Sequence, residues 1–306
     1  MRGQFKIKVL IGPSTFAVND KRPLEYLLKE GAEIVANPYK RKLTKEEVVG
    51  LLSSDVNGLI AGLEPLDRDV LKHSKLKVVS RSGAGMSNVD LAAAEEFHIK
   101  VYNTPDAPTV AVAEITVAAM LDLCRSISGM NGKMHSGKWD KSIGIQLSGK
   151  TVLIIGFGRI GRKVASFLKP FGVKLLVCDP HVSEVGEDID LLRLEDALPK
   201  ADIITIHSSD DSEIIGEKEF ALIKPGVFIL NSARGAAINE PSLINALNAG
   251  IVRGVWMDTF IEEPYSGKLI EYPQVLLTPH IGSYTSECRS IMEMQAALNL
   301  IKGLKG

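Results

Sequence analysis

The stretch Thr151–Gly161, TVLIIGFGRIG, limits what this chain can become more than any other. Val152–Ile155 reads as a short apolar strand, Gly156-Phe157-Gly158 as a tight turn, and a helix begins near Arg159. Gly156, Gly158 and Gly161 follow the spacing Gly-x-Gly-x-x-Gly between strand and helix, the pattern of a dinucleotide-binding turn. The first glycine permits the turn, the second lets backbone approach a pyrophosphate, and the third lets the helix pack closely on the strand. The phosphates then rest on unpaired N–H groups at the positive end of the helix. Glycine is common enough for this pattern to arise by chance. The remaining sequence therefore has to supply the other parts of a dinucleotide site.

Before this stretch, apolar strands at Lys6–Gly12, Glu33–Ala36, Val56–Ala61, Leu76–Ser80 and Ile99–Tyr102 alternate with helical segments at Arg22–Glu30, from Thr44, at Leu66–His73 and at Asp90–Glu96. Thr44 with Glu47 forms a capping-box pattern. A turn-rich junction, Asn103–Pro108, leads into one long apolar helix expected over Thr109–Lys133. After the glycine turn the alternation restarts, with strands at Val173–Cys178, Asp202–His207, Val227–Asn231, Val252–Met257 and Val275–Thr278. Helices are expected at Arg159–Phe171, Leu191–Leu198, Glu217–Ile223, Glu240–Ala249 and Thr285–Leu304. Such alternation makes an α/β protein with parallel sheets covered on both faces. The glycine turn lies mid-chain, so residues 1–101 plus 285–306 are expected to form a substrate domain around an inserted dinucleotide domain, 102–284.

Composition removes several function classes. A formal net charge of −1 argues against nucleic acid or an anionic membrane as a partner. The three cysteines are scattered, with no metal-ligand spacing and no disulfide framework, which fits a reducing compartment. The N-terminus is too broken by charge for a signal peptide, and the apolar stretch Val110–Leu123 contains Glu114 and Asp122. A cytoplasmic location without metal is the expectation.

Asp179 stands 18 residues past Gly161, directly after the next strand. An acidic residue there bonds the adenine-ribose hydroxyls and repels a 2′-phosphate, and no arginine follows in Asp179-Pro180-His181, so NAD is favoured over NADP. Three later strands end in residues suited to a 2-oxo acid: Arg234 in NSARG, the carboxylates of MDTFIEEP and His280 in LTPHIGS. Arginine can hold a carboxylate bidentately and polarise the adjacent carbonyl. Histidine can exchange the hydroxyl proton near neutral pH, and a carboxylate behind it keeps it oriented.

With GFGRIG, CDP (Cys178–Pro180), NSARG (Asn231–Gly235), MDTFIEEP (Met257–Pro264) and LTPHIGS (Leu277–Ser283), together with RSGAGMSNVD (Arg81–Asp90) and SGKW (Ser136–Trp139), the chain resembles the D-isomer-specific 2-hydroxyacid dehydrogenase family over nearly its whole length. Within it the resemblance is to the branch acting on 3-phosphoglycerate, in a short form without a C-terminal regulatory domain. The resemblance implies a Rossmann-type NAD domain inserted in a flavodoxin-like substrate domain. It implies His280 as acid/base, Glu263 as its partner and Arg234 as the carbonyl-polarising group. It assigns Arg159 and Ile160 to the pyrophosphate and Asp258 to the nicotinamide amide, with Gly156, Gly158, Gly161, Asp179, His207, Ala233 and Gly282 also lining the cofactor. The loop Ser82, Gly83, Ala84, Gly85 would receive the substrate carboxylate, together with Arg234 and His280. A homodimer through Thr109–Lys133 is implied as well. The chain departs from the family pattern at Pro108, Ala111, Ser283 and Ser208–Asp211. A hydroxypyruvate or glyoxylate reductase, or a dinucleotide-sensing corepressor-like scaffold, fits the same residues. Lys40-Arg41-Lys42, expected after a substrate-domain strand, is a candidate receiver for a substrate phosphate.

Overall fold

The computed structural model describes residues 7–52 and 55–306, so Lys6, the expected first residue of the first strand, lies outside them. The chain divides into two units, residues 1–108 with 284–306 and residues 109–283.

The first unit carries β1 (Ile7–Ile11), α1 (Arg22–Lys29), β2 (Ala32–Ala36), α2 (Lys45–Leu51), β3 (Gly58–Ala61), α3 (Arg68–Lys72), β4 (Val78–Arg81), α4 (Leu91–Glu96) and β5 (Lys100–Tyr102). Its strands are parallel and ordered β2-β1-β3-β4-β5, the flavodoxin-like order. Their residues are apolar in continuous runs because both faces are covered: Leu10, Leu59 and Val79 on one side, Val9, Ile60 and Val78 on the other. Thr44 and Glu47 form the expected capping box on α2, worth about 1 kcal/mol. Asn103 and Thr104 hydrogen-bond within this unit, to Ala84 and Gly83. The turn-rich junction therefore belongs with it, and the first boundary falls later than position 102.

The second unit contains α5 (Thr109–Arg125), α6 (Ile127–His135), β6 (Thr151–Ile155), α7 (Arg159–Leu168), β7 (Lys174–Cys178), β8 (Ile189–Leu191), α8 (Leu194–Ala197), β9 (Ile203–Ile206), α9 (Glu217–Phe220), β10 (Val227–Asn231), α10 (Glu240–Asn248), β11 (Val252–Met257) and β12 (Val275–Leu277). The seven-stranded parallel sheet runs β12-β11-β10-β9-β6-β7-β8, the Rossmann order with one added edge strand. Strand order reverses at β6, so the glycine turn and the end of β9 lie at the topological switch point, where ligands of such sheets bind. The last helix, α11 (Ser286–Lys305), returns to the first unit and packs on β3, β4 and β5. Gly303 permits that approach, because a Cβ there would lie 2.9 Å from Val78 and 2.8 Å from Tyr102.

Two expectations need correction. The single helix over Thr109–Lys133 is two helices, broken at Ser126, whose backbone is left-handed (φ 49°). The side chain of Asp122 accepts from the Ser128 amide at 2.6 Å, and this local bond starts α6 afresh. The helix expected over Leu191–Leu198 is shorter, and the edge strand β8 precedes it. A three-residue strand carries too little alternation to be read from sequence.

Candidate active site

The expected site residues of the second unit all follow strand carboxyl ends. Gly156 follows β6, Asp179 β7, His207 β9, Arg234 β10, Asp258 β11 and His280 β12. A parallel sheet puts these ends on one rim, which is why residues far apart in sequence share it.

The glycine turn has the geometry that a pyrophosphate needs. Gly156 has φ +88°, and a Cβ there would lie 2.6 Å from the Ser208 amide nitrogen. A Cβ on Gly161 would lie 2.1 Å from the Gly156 carbonyl oxygen, so strand end and helix start touch backbone to backbone. A Cβ on Gly158 would meet nothing within 4 Å. Gly158 therefore faces open space at the exposed first turn of α7, next to Arg159 and Ile160. Asp179 takes hydrogen bonds on both carboxylate oxygens, from the Phe157 amide at 2.6 Å and the His181 amide at 2.8 Å. It thus holds the middle of the glycine turn. The donors and the open space fit a dinucleotide.

His207 faces Thr205 Oγ1 at 2.9 Å and Ser232 Oγ at 3.4 Å. Burial pushes its imidazole down to about 3. It is neutral at physiological pH and unsuited to acid/base work.

Arg234 sits on a loop fixed by Asn231, whose side chain donates to the Arg234 carbonyl at 2.8 Å and accepts from the Ala233 amide at 3.0 Å. Its guanidinium donates to the Ala233 carbonyl at 2.8 Å, and its Nε lies 3.1 Å from Asp211 Oδ1. Asp211 belongs to the stretch where the chain departs from the family pattern, and its position in sequence suggests no role. Gly235 lets this loop reach the next one. A Cβ there would lie 2.1 Å from the Phe260 carbonyl carbon, which excludes any larger residue.

His280 Nδ1 lies 2.9 and 3.1 Å from the two Glu263 carboxylate oxygens. An ionised carboxylate only accepts, so Nδ1 carries a proton, and in the neutral ring Nε2 is then the acceptor. Glu263 is itself placed by the Phe260 amide, which donates to Oε1 at 3.1 Å. Phe260 stacks on Tyr265 with centroids 4.3 Å apart, fixing that loop.

Asp258 is 1% exposed. It accepts from the Thr278 hydroxyl (2.6 Å), the Ile281 amide (2.9 Å) and the Gly282 amide (2.8 Å). Burial pushes its carboxyl up, and these donors act against that shift. Thr278 also accepts from Trp256 Nε1 at 2.9 Å. Neither Thr278 nor Trp256 stands out as a sequence position. The available signal was that a buried indole N–H requires a partner.

In the first unit, Ser82–Gly85 follows β4. Arg81 donates to the Ser82 carbonyl at 2.6 Å, Asn103 to the Ala84 carbonyl at 2.8 Å, and the Gly83 amide to Thr104 Oγ1 at 2.8 Å. The Ala84 and Gly85 amides take no part in these bonds. After β2, Arg41 is bound through its two terminal guanidinium nitrogens to Glu47 at 2.8 and 2.6 Å, which leaves Lys40 and Lys42 as the more available cations of that run. No group able to hold a metal ion occurs among the described residues. No described helix is long and apolar enough to cross a membrane.

Residues 117–282 match the family model for the D-isomer specific 2-hydroxyacid dehydrogenase, NAD binding domain. A D-3-phosphoglycerate dehydrogenase of Sus scrofa is 36% identical over 98% of this chain and 57% of its own length. One from Methanocaldococcus jannaschii is 37% identical over 86% of this chain and 52% of its own. The chain thus spans about half the length of the curated relatives it matches. Among solved structures, a protein from Thermus thermophilus has a TM-score of 0.89 at 28% identity, covering 98% of this chain and 97% of the other. A glyoxylate reductase from Paecilomyes thermophila has a TM-score of 0.86 at 28% identity, covering 96% and 94%.

Proposed function

The chain belongs to the D-isomer-specific 2-hydroxyacid dehydrogenase family, and from that we propose that it moves a hydride between a D-2-hydroxy acid and NAD, with 3-phosphoglycerate the leading substrate. The observation that carries this reading is the His280–Glu263 contact of 2.9 Å on the rim that also bears Arg234. In the oxidative direction His280 Nε2 takes the hydroxyl proton. Glu263 stabilises the imidazolium so formed and keeps the ring turned. Arg234 holds the substrate carboxylate and polarises the carbonyl oxygen. In the first unit, the Ala84 and Gly85 amides are the proposed donors to a substrate carboxylate. Bound NAD supplies the hydride acceptor, held by the Gly156–Gly161 turn, the α7 amides of Arg159 and Ile160, Asp179 and the walls at His207, Ala233, Asp258 and Gly282.

The test follows NADH absorbance with a panel of 2-oxo acids: 3-phosphohydroxypyruvate, hydroxypyruvate, glyoxylate and pyruvate. Turnover fastest with the phosphorylated acid is the expected outcome. Preference for glyoxylate or hydroxypyruvate would move the reading to the reductases, which the similarity to a glyoxylate reductase also favours. No oxidation with any acid would sink the enzymatic reading and leave a dinucleotide-sensing scaffold.

Asp179 sets the cofactor preference in this proposal. Asp179→Asn keeps an acceptor for the Phe157 amide while removing the charge. It is expected to narrow the NADH-over-NADPH ratio of kcat/KM by about tenfold or more, since a hydrogen bond to a charged group is worth roughly 1.5–3 kcal/mol. An unchanged ratio would show that cofactor choice lies elsewhere.

A homodimer through Thr109–Lys133 is also part of the proposal, with the exposed apolar residues that follow it extending the face to 143. No residue of α6 is buried, and Ile127, Met134, Trp139 and Ile143 are 56%, 52%, 73% and 94% exposed. Apolar surface gathered in this way marks an association face. Sedimentation should give a dimer that Trp139→Glu with Ile143→Glu converts to a monomer. A parent chain that sediments as a monomer removes this part.

A further inference from the structure

We infer that Thr278 is a positioning residue of the proposed reaction, its hydroxyl setting Asp258 and, through Asp258, the turn that carries His280. This rests on the reading of His280 as the acid/base.

The direction of every bond in this chain is forced. An indole N–H can only donate, so at 2.9 Å Thr278 Oγ1 accepts from Trp256. The one hydroxyl proton then has a single place to go, Asp258 Oδ1 at 2.6 Å. Asp258 Oδ1 in turn accepts the Ile281 amide and Oδ2 the Gly282 amide, at 2.9 and 2.8 Å. These are the two residues after His280. Trp256 is fully buried and Asp258 is 1% exposed, while Thr278 is half-buried, so loss of its hydroxyl leaves the indole N–H and Asp258 Oδ1 each without this protein partner.

The His280 turn needs such support. His280 has φ +54°, a left-handed conformation that a residue with a Cβ adopts at a cost of about 1 kcal/mol or more. On its N-terminal side the turn is closed by the His280 amide bonding the Thr278 carbonyl at 2.9 Å. On its C-terminal side the Asp258 bonds just named hold it. Thr278 therefore touches both sides, by its carbonyl in front and by its hydroxyl through Asp258 behind. A carboxylate free to rotate would release two amides next to the ring that has to meet both Glu263 and substrate.

The experiment compares Thr278→Val, which keeps the shape and loses the hydroxyl, with Thr278→Ser, which keeps the hydroxyl. Valine is expected to lower kcat by about tenfold or more, because an off-geometry catalytic group costs rate. Serine should recover kcat to within about threefold of the parent. Amide hydrogen exchange gives a readout that needs no turnover. Peptides covering residues 279–283 should exchange faster with valine and not with serine, with β6 and β10 unchanged. If the parent oxidises NADH with no acid, the proposed reaction fails, while the exchange result still decides whether Thr278 holds the turn. Equal impairment by serine and valine, or a valine variant equal to the parent in rate and exchange, would overturn the inference. Should valine not fold, Thr278→Cys, similar in shape with a weak S–H donor, is judged by the same two readouts.

Discussion

Replacing His280 by alanine is expected to lower kcat/KM by about 10²–10⁴-fold, the usual contribution of a positioned acid/base. The size follows from the geometry. Among the described residues, His280 is the one imidazole on this rim with a carboxylate at 2.9 Å behind it and its other nitrogen available. His207 cannot take over, since burial holds it neutral and its pKa at about 3. The variant should still bind NADH, because the glycine turn, Asp179 and α7 are formed by other strands. Stopped-flow reduction and fluorescence titration separate the two effects. A variant with undiminished turnover would remove His280 from the mechanism. Glu263→Gln should sit between parent and alanine, since it keeps the ring oriented but loses the charge that stabilises the imidazolium.

Replacing Arg234 by lysine is expected to cost on the order of 10²–10³ in kcat/KM, comparable to loss of a donor to a developing oxyanion. Lysine keeps the charge and loses the planar fork, so the loss measures bidentate geometry rather than electrostatics alone. One nitrogen of the guanidinium already donates to the Ala233 carbonyl, while Nε lies near the Asp211 carboxylate without making a hydrogen bond. These contacts present the fork in one orientation, which a lysine cannot copy. Steady-state kinetics with the best acid of the panel provide the check. Loss confined to KM would reduce Arg234 to a binding group, and no loss at all would remove it from the site.

Much of this arrangement was legible in the sequence because it depends on local pattern. The glycine spacing, the acidic residue after β7 and the apolar runs of the strands each follow from a backbone requirement that few residue types meet. The motif-bearing loops could be placed on one rim because parallel strands put all their carboxyl ends together. What escaped the sequence depends on tertiary placement. Ser126 has no mark of a helix break until Asp122 is seen capping the next helix. The edge strand β8 is too short to show a period. Thr278 and Trp256 look like ordinary strand-end and core residues, and only the fold shows that they share a proton order with Asp258. Arg41 looks like an available cation until Glu47 is found gripping it.

The double use of Asp179 has a consequence for how such a chain can change. One of its carboxylate oxygens accepts from the Phe157 amide inside the glycine turn, so the cofactor choice proposed for Asp179 and the integrity of the turn would depend on a single side chain. A substitution that admits a 2′-phosphate by deleting the acceptor also loosens the turn on which the pyrophosphate rests. Mutational routes toward NADP are thereby narrowed to residues that keep an oxygen acceptor at 179, or to changes at His181 and beyond that bring in a cation first. The order of steps in any such drift is constrained by this one hydrogen bond.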